Sequence, residues 1–188
     1  MRWDSLFADM EGQLHAADQR GLESEANELA RLNHAETSLG DRLRGQVGSG
    51  IRLTVSGGLQ FTGALAHVGS TWLVLNERAR SVLVPLPAIQ LLEGLSRSSS
   101  VEKSSVAKRL GMGSALRALA RDRVDVVLHL ASGTAGRTVN GMIDRVGSDF
   151  LELAAVPSGE ARRASNVRTV YAVPFTAIGA LASVRAGD

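Results

Sequence analysis

Two blocks of sequence occur twice in the same order, and this repetition limits the possible folds more than any other feature. Residues 63–75 match residues 141–153 at six of thirteen positions, and residues 82–92 match residues 171–181 at five of eleven. The offset between the copies grows from 78 to 89, so the second copy holds an insertion of eleven residues, around residues 155–168. We expect an internal duplication in which each copy forms one structural unit.

Each copy is predicted to form five short strands. Ile51, Leu53 and Val55 alternate with polar residues, which is the period of a half-buried strand. Gly63 in the middle of the next strand indicates a bend or a close approach of two backbones. Pro85 indicates a strand end or edge, because proline has no amide hydrogen. The predicted strands lie at residues 51–55, 59–65, 72–75, 82–85 and 89–92, and at residues 126–130, 137–145, 150–153, 169–173 and 178–183.

Helices are predicted before each set of strands and at the N-terminus. The first set follows a short helix at residues 41–47, and the second follows residues 106–121, with a new helical start after Gly113. At the N-terminus the apolar residues have the spacing of a narrow helix seam. That seam could pack on its own chain or on a partner helix, and its residues are Trp3, Phe7, Met10 and Leu14.

A helix followed by five short, bent strands is typical of a small β-barrel. We therefore predict a mainly β protein with helices (α+β), in which an N-terminal helical arm precedes two tandem five-stranded barrels. The predicted boundaries are residues 1–37 for an acidic N-terminal helix, 38–95 for the first barrel with its short leading helix, 96–105 for a Ser-rich linker, and 106–188 for a leading helix and the second barrel. The serines of the linker predict a flexible segment.

This pattern resembles the Sm and Sm-like barrel family, which includes Hfq, over residues 39–95 and 106–184. The resemblance implies Sm-like barrels and single-stranded RNA as a ligand. Small barrels of other families, such as PRC-type barrels, fit the Val-Pro-x-x-Ala-Ile strand comparably well, and Arg- and Ala-rich actinobacterial proteins show a similar pattern. The residues that carry the Sm-like motif are Gly63, Leu65, Val68 and residues 73–75 in copy one, and Gly141, Ile143, Val146 and residues 151–153 in copy two.

The residues that serve the RNA pocket in that family differ here. Gly69 and Gly147 stand where the family has Asp, and Leu73 and Leu151 stand roughly where it has Asn. Residues 84–86 read Val-Pro-Leu where the family has a basic residue followed by Gly. The residues of this chain therefore match the fold that the resemblance implies, and none of them matches the family's RNA pocket.

The sequence predicts no catalytic residue, no cofactor and no metal ion, so we expect a protein that is not an enzyme. The chain has no Cys, and its four His form no His-x-x-x-His pair. Ser70 and Ser148 follow Gly in predicted turns, without a neighbouring base. No small-molecule substrate is evident. No apolar run is long enough to span a membrane, and the N-terminus lacks the pattern of a signal peptide, which predicts a cytoplasmic protein.

Charge is distributed unevenly along the chain. The first 36 residues carry a net charge of −5 and the remainder +7. We expect an interaction or assembly module that acts through protein–protein contacts or self-association. The alternative is an RNA- or DNA-binding protein that holds phosphates with arginines of the linker, the second helix and the insertion. Those candidate residues are Arg97, Lys108, Arg109, Arg117, Arg121, Arg123, Arg162, Arg163 and Arg168. This alternative depends on charge, because the aromatic residues of the repeat are predicted to face the core; they are Phe61, Trp72, Phe150 and Phe175.

Overall fold

The chain divides into two compact units, Met1–Ser38 and Leu39–Asp188. The computed structural model describes residues 28, 35–78, 80–102, 104, 110–131, 137–155 and 169–183. In the first unit this covers residue 28 and residues 35–38, of which Glu28, Ala35 and Glu36 are helical. The rest of the predicted N-terminal helix lies outside the described residues, and so do its four seam residues, Trp3, Phe7, Met10 and Leu14.

The second unit is mainly β, as predicted, and each predicted strand overlaps an observed one. Short 3-10 turns at Leu86–Ala88 and Phe175–Ala177 lead into two of the strands. The helices are α1 (Leu39–Arg44) and α2 (Met112–Arg121). The strands are β1 (Gly50–Val55), β2 (Gln60–Val68), β3 (Trp72–Glu77), β4 (Arg80–Pro85), β5 (Ile89–Glu93), β6 (Asp125–Leu130), β7 (Thr138–Val146), β8 (Phe150–Ala155), β9 (Thr169–Pro174) and β10 (Ile178–Ser183).

The ten strands of the described residues belong to one antiparallel sheet, in the order β5-β1-β2-β3-β4-β10-β6-β7-β8-β9. Among these strands the sheet is open, and β5 and β9 are its two edge strands. The prediction of two tandem Sm-like barrels is therefore wrong, and the resemblance to the Sm and Sm-like family is not supported. The strands continue from one half of the chain into the other, through β4 and β10, and do not close into two barrels.

The join between β4 and β10 follows from apolar side chains on both faces of these strands. Val82, Leu83, Val84 and Pro85 are all buried, and so is every residue of β10 except Ser183. A strand that is apolar on both faces is stable only where both faces are covered. The two strands meet through two pairs of opposed residues, Leu83 with Leu181 and Val82 with Ala182.

Two hydrophobic cores lie on opposite faces of the joined strands. Successive side chains of a strand point to opposite faces. Val82 and Val84 accordingly belong to one core, and Leu83 belongs to the other. The first core also contains Leu43 of α1, and the second contains Leu116 of α2, so each helix covers a different core. Strands β4 and β10 contribute to both cores and make the second unit a single structure.

Two glycines permit close approach of neighbouring strands, as the sequence predicts for Gly63. A Cβ atom at Gly63 would lie 2.3 Å from the carbonyl oxygen of Asn76 in β3. A Cβ atom at Gly141 in β7 would lie 2.3 Å from the carbonyl oxygen of Ala154 in β8. Both distances are far below a normal contact, so neither position accepts a side chain without movement of the backbone.

The two helices differ in their limits from the prediction. Helix α1 ends at Arg44, and the chain continues as turns to Gly48. Helix α2 begins at Met112, with Gly111 as its N-cap, and passes through Gly113 without interruption. The predicted new start after Gly113 is wrong because the buried Met112 and Leu116, four residues apart, anchor one continuous helix face. Residues 106–109 of the predicted helix lie outside the described residues.

The Ser-rich segment after β5 is held against the end of α1. The amide nitrogen Nε2 of Gln46, a side chain that is 2% exposed, donates to Oγ of Ser98 at 2.8 Å. The backbone N–H of Ser96 donates to Oε1 of Gln46 at 3.1 Å. A Cβ atom at Gly45 would lie 2.7 Å from the backbone of this segment. The described part of the predicted linker is thus fixed by hydrogen bonds and does not match the flexibility that its composition predicts.

Candidate functional site

The edge strand β9 exposes a row of uncharged residues. Its first four residues, Thr169 to Ala172, are all exposed, and the side chains of Val170 and Tyr171 are 50% and 38% exposed. The strand contains no charged residue. Edge strands usually carry charges or bulges that prevent pairing with another chain. An edge strand of this composition is open to a further strand.

The opposite edge strand, β5, also exposes an apolar side chain. Leu91 is 55% exposed. On the inner side β5 pairs with β1, where Leu92 lies opposite Leu53 and Glu93 opposite Arg52. Nη1 of Arg52 is 3.6 Å from Oε2 of Glu93. Within the described part of the chain no strand pairs with the outer side of β5 or of β9. We call these two strands the open edges.

An apolar cavity of about 280 Å³ lies where the two 3-10 turns approach each other. Pro85, Pro87, Met112, Phe175 and Ile178 form much of its wall. Its described polar side chains are the hydroxyls of Ser56, Thr71 and Thr176, and none of the lining residues is an acid or a base. The cavity can enclose a small apolar group but offers no group that would transfer a proton near neutral pH.

His129 is the one described histidine with a clearly shifted pKa. Burial and the positive charge of Arg80 lower the pKa of this imidazole below 6.5. Its ring lies edge-on to Phe61, with ring centroids 5.6 Å apart. Both ring nitrogens are buried and have no hydrogen-bond partner among the described atoms. His129 is therefore a half-buried side chain beside Phe61 of the first core, and its two ring nitrogens are shielded from solvent.

Four of the nine candidate nucleic-acid-binding residues fall in the described structure. These are Arg97, Arg117, Arg121 and Arg123, and all four are exposed. Nη2 of Arg117 donates to the carbonyl oxygen of Gly147 at 3.2 Å. Nε of Arg121 is 3.5 Å from Oδ1 of Asp122, and the arginine side chain is 79% exposed. The other five candidates, which lie outside the described residues, are Lys108, Arg109, Arg162, Arg163 and Arg168.

The aromatic residues that were predicted to face the core differ in burial. Phe61 and Trp72 are buried, Phe175 is half-buried, and Phe150 is 37% exposed. Nε1 of Trp72 donates to the carbonyl oxygen of Leu110 at 3.0 Å, so the segment before α2 covers this ring. Phe150 occupies the corresponding place in β8 but keeps a third of its surface exposed. The prediction of a core position is wrong for Phe150.

Two kinds of feature are absent from the described residues. They contain no group of three or more His, Cys, Asp or Glu side chains that could hold a metal ion. No described helix has the length and the apolar character needed to cross a membrane.

Comparisons of the chain with models of protein families, with curated proteins and with solved structures give no match. The candidate site therefore depends on the geometry of this chain alone. Sequence reasoning missed the open edges because it treated the two halves as separate units. A signal was present in residues 82–85, where four consecutive apolar residues replace the usual alternation. Such a run is typical of a central strand, and it could have indicated that β4 has neighbours on both sides.

Proposed function

We propose that this protein is a non-enzymatic interaction or assembly module that binds protein chains at the open edges β5 and β9. The observation that carries the proposal is the exposure of apolar side chains on both edge strands, at Leu91, Val170 and Tyr171. An added strand would bury these side chains, and each buried Val or Leu contributes about 1.5–3 kcal/mol relative to full exposure.

The backbone of an open edge supplies further affinity. The outward N–H and C=O groups of an edge strand can form hydrogen bonds with an extended segment of a partner, while alternate side chains determine which segment fits. Strand β9 favours this mode because it is uncharged and ends at Pro174, which limits the pairing to the residues before it.

The proposal can be tested by photo-crosslinking in the native cell. Benzoylphenylalanine would replace Tyr171 in one variant and Leu91 in a second, and adducts would be mapped by mass spectrometry. Asn140, which is exposed in the inner strand β7, provides the control position. We expect protein adducts from both edge positions and none from position 140. The proposal would be contradicted if the two edge positions gave no protein adducts, or if position 140 gave as many adducts as they do.

Nucleic-acid binding is the second candidate function, and it is favoured by the exposed arginines at the end of α2. Arg121 has 79% of its side chain exposed, and Arg117 and Arg123 are also exposed. Such side chains can neutralise phosphates and release counterions, which makes binding steeply dependent on salt. This candidate requires retention of the protein on immobilised nucleic acid at low salt.

A matched pair of triple variants tests this second candidate. One variant replaces Arg117, Arg121 and Arg123 with Ala, and the other replaces Arg52, Arg137 and Arg145, which are also exposed. Both lose the same charge. If Arg117, Arg121 and Arg123 bind nucleic acid, only the variant that lacks them should elute at a lower salt concentration. An equal shift in both variants, or no retention of the unaltered chain at low salt, would contradict this function.

A further inference from the structure

The join between β4 and β10 shows how two strand edges of this chain pair with each other. The two strands are antiparallel, with Leu83 opposite Leu181 and Val82 opposite Ala182. Oγ of Ser183 also accepts a hydrogen bond from the backbone N–H of Ser81 at 3.0 Å. An edge of β4 and an edge of β10 are thus complementary surfaces.

Strand β9 corresponds to β4. In β4, Pro85 lies opposite Trp72 of β3, and in β9, Pro174 lies opposite Phe150 of β8. Both proline-terminated strands pair with their neighbour over six residues and continue into a 3-10 turn. The outer edge of β4 is covered by β10, whereas the outer edge of β9 is open.

Strand β5 corresponds to β10 in the same way. Each follows one of the two 3-10 turns and begins with Ile after Ala. Leu92 of β5 lies opposite Leu53 of β1, and Leu181 of β10 lies opposite Leu128 of β6. The open edges are therefore the counterparts of the two strands that join inside the chain.

We propose that β9 of one copy pairs with β5 of a second copy in the arrangement that joins β4 to β10. The corresponding positions place Tyr171 opposite Glu93 and Ala172 opposite Leu92 of the second copy. This inference rests on the proposed function and names its partner, which is another copy of this chain.

The pairing would cover the apolar side chains that the edges now expose, which are Leu91, Val170 and Tyr171. Two different edges meet in this contact, so each added copy leaves one β5 and one β9 free. A head-to-tail contact of this kind continues until it closes a ring or forms a filament.

The contact between copies lacks one hydrogen bond of the internal join. Gly94 stands at the place of Ser183, so the N–H of Val170 finds no hydroxyl corresponding to the one that Ser81 binds. Gly94 has φ near +87°, and a Cβ atom there would lie 3.1 Å from the carbonyl oxygen of Gly50. We therefore expect association to be reversible and dependent on concentration.

Engineered cysteines test the register directly, because the chain has no Cys of its own. One purified variant carries Tyr171→Cys and the other Glu93→Cys, both at exposed positions. Opposed residues of an antiparallel pair have Cα atoms about 4.5–5.5 Å apart, which a disulfide can bridge. A third variant, Asn140→Cys, provides an exposed thiol on an inner strand.

Mixing the Tyr171→Cys and Glu93→Cys variants under mild oxidation should give a mixed disulfide dimer at least ten times faster than mixing Tyr171→Cys with Asn140→Cys. Equal rates for the two mixtures would overturn the pairing of copies. If the rates are equal while benzoylphenylalanine at position 171 links to a different protein, the proposed function stands and only the identity of the partner is wrong. If neither reaction occurs, both proposals fail.

Discussion

Leu83 of β4 lies opposite Leu181 of β10, and this pair joins the two five-strand halves of one sheet. Both side chains are buried, with exposures of 6% and 2%, and both belong to the second core. The join gives β4 and β10 neighbours on both sides and leaves β5 and β9 as edges. The stability of the fold and the proposed assembly thus depend on the same strand arrangement.

A shorter side chain at the join between β4 and β10 should destabilise the whole second unit. Leu181→Ala removes a fully buried side chain, and such substitutions cost about 2–5 kcal/mol in the free energy of unfolding. Leu91→Ala makes the same chemical change at a residue that is 55% exposed, where we expect a change within about 0.5 kcal/mol. Urea denaturation followed by circular dichroism measures both. Similar values for the two variants would contradict a buried join.

Alanine at either close-approach glycine should destabilise the sheet. The added Cβ atom at Gly63 or Gly141 would lie 2.3 Å from a carbonyl oxygen, and overpacking of this kind costs about 1–3 kcal/mol. Gly50→Ala is the control, because a Cβ atom there meets nothing within 4 Å. Thermal unfolding should show lower midpoints for Gly63→Ala and Gly141→Ala only. An unchanged midpoint in both would show that the strands lie farther apart.

Acidification should weaken the fold through His129. Its pKa is lowered in the folded protein by burial and by Arg80, whereas the unfolded chain titrates near 6.5. Below pH 6.5 the unfolded state therefore binds a proton that the folded state does not, and the free energy of unfolding falls by up to about 1.4 kcal/mol per pH unit. This loss continues until the pH reaches the lowered pKa.

The contribution of His129 can be isolated by comparing urea denaturation at pH 7.5 and pH 5.5 in the unaltered chain and in His129→Leu. We expect the leucine variant to lose less stability between the two pH values, because it has no group to protonate at this site. The same loss of stability in both proteins would assign the pH dependence to other groups.

Removal of the Gln46 amide should release the Ser-rich segment from α1. Gln46→Ala removes the hydrogen bonds that the Gln46 amide forms with Oγ of Ser98 and with the N–H of Ser96, and each such bond contributes about 0.5–1.5 kcal/mol. Gln60→Ala provides the control at an exposed glutamine. Limited proteolysis should cut residues 96–102 faster in Gln46→Ala than in the control variant. Equal cleavage rates would mean that the segment is held by other contacts.

The positions of the strands were predictable from local patterns, but the identity of the strand that joins β4 was not. The alternation at Ile51, Leu53 and Val55 depends only on neighbours in sequence, and it correctly predicted β1. The pairing of Leu83 with Leu181 brings together residues that are far apart in sequence, and no periodicity indicates it. Two separate barrels and one open sheet use the same strands, so the error concerned only which strands pair.

The candidate site was predictable to a smaller extent. Val170 and Tyr171 have the composition of a core strand, and only the strand order shows that they lie at an edge. The exposure of Arg117 and Arg121 in α2 follows from their charge alone, since charged side chains are seldom buried without partners. The Ser-rich segment was expected to be flexible because its composition does not show that Gln46 lies buried beside it.

The molar mass of the chain in solution tests most directly the claim that the open edges join copies. Static light scattering from about 1 µM to about 1 mM covers the range of weak protein association. The molar mass of the unaltered chain should rise above 19.8 kDa as the concentration increases. The molar mass of Val47→Lys should rise in the same way, because this variant alters a 52% exposed residue that belongs to neither open edge. Val170→Lys, which places a charge on β9, should stay at 19.8 kDa. The claim that the open edges join copies would be contradicted by a constant molar mass of 19.8 kDa for the unaltered chain, or by an equal rise in the molar mass of Val170→Lys.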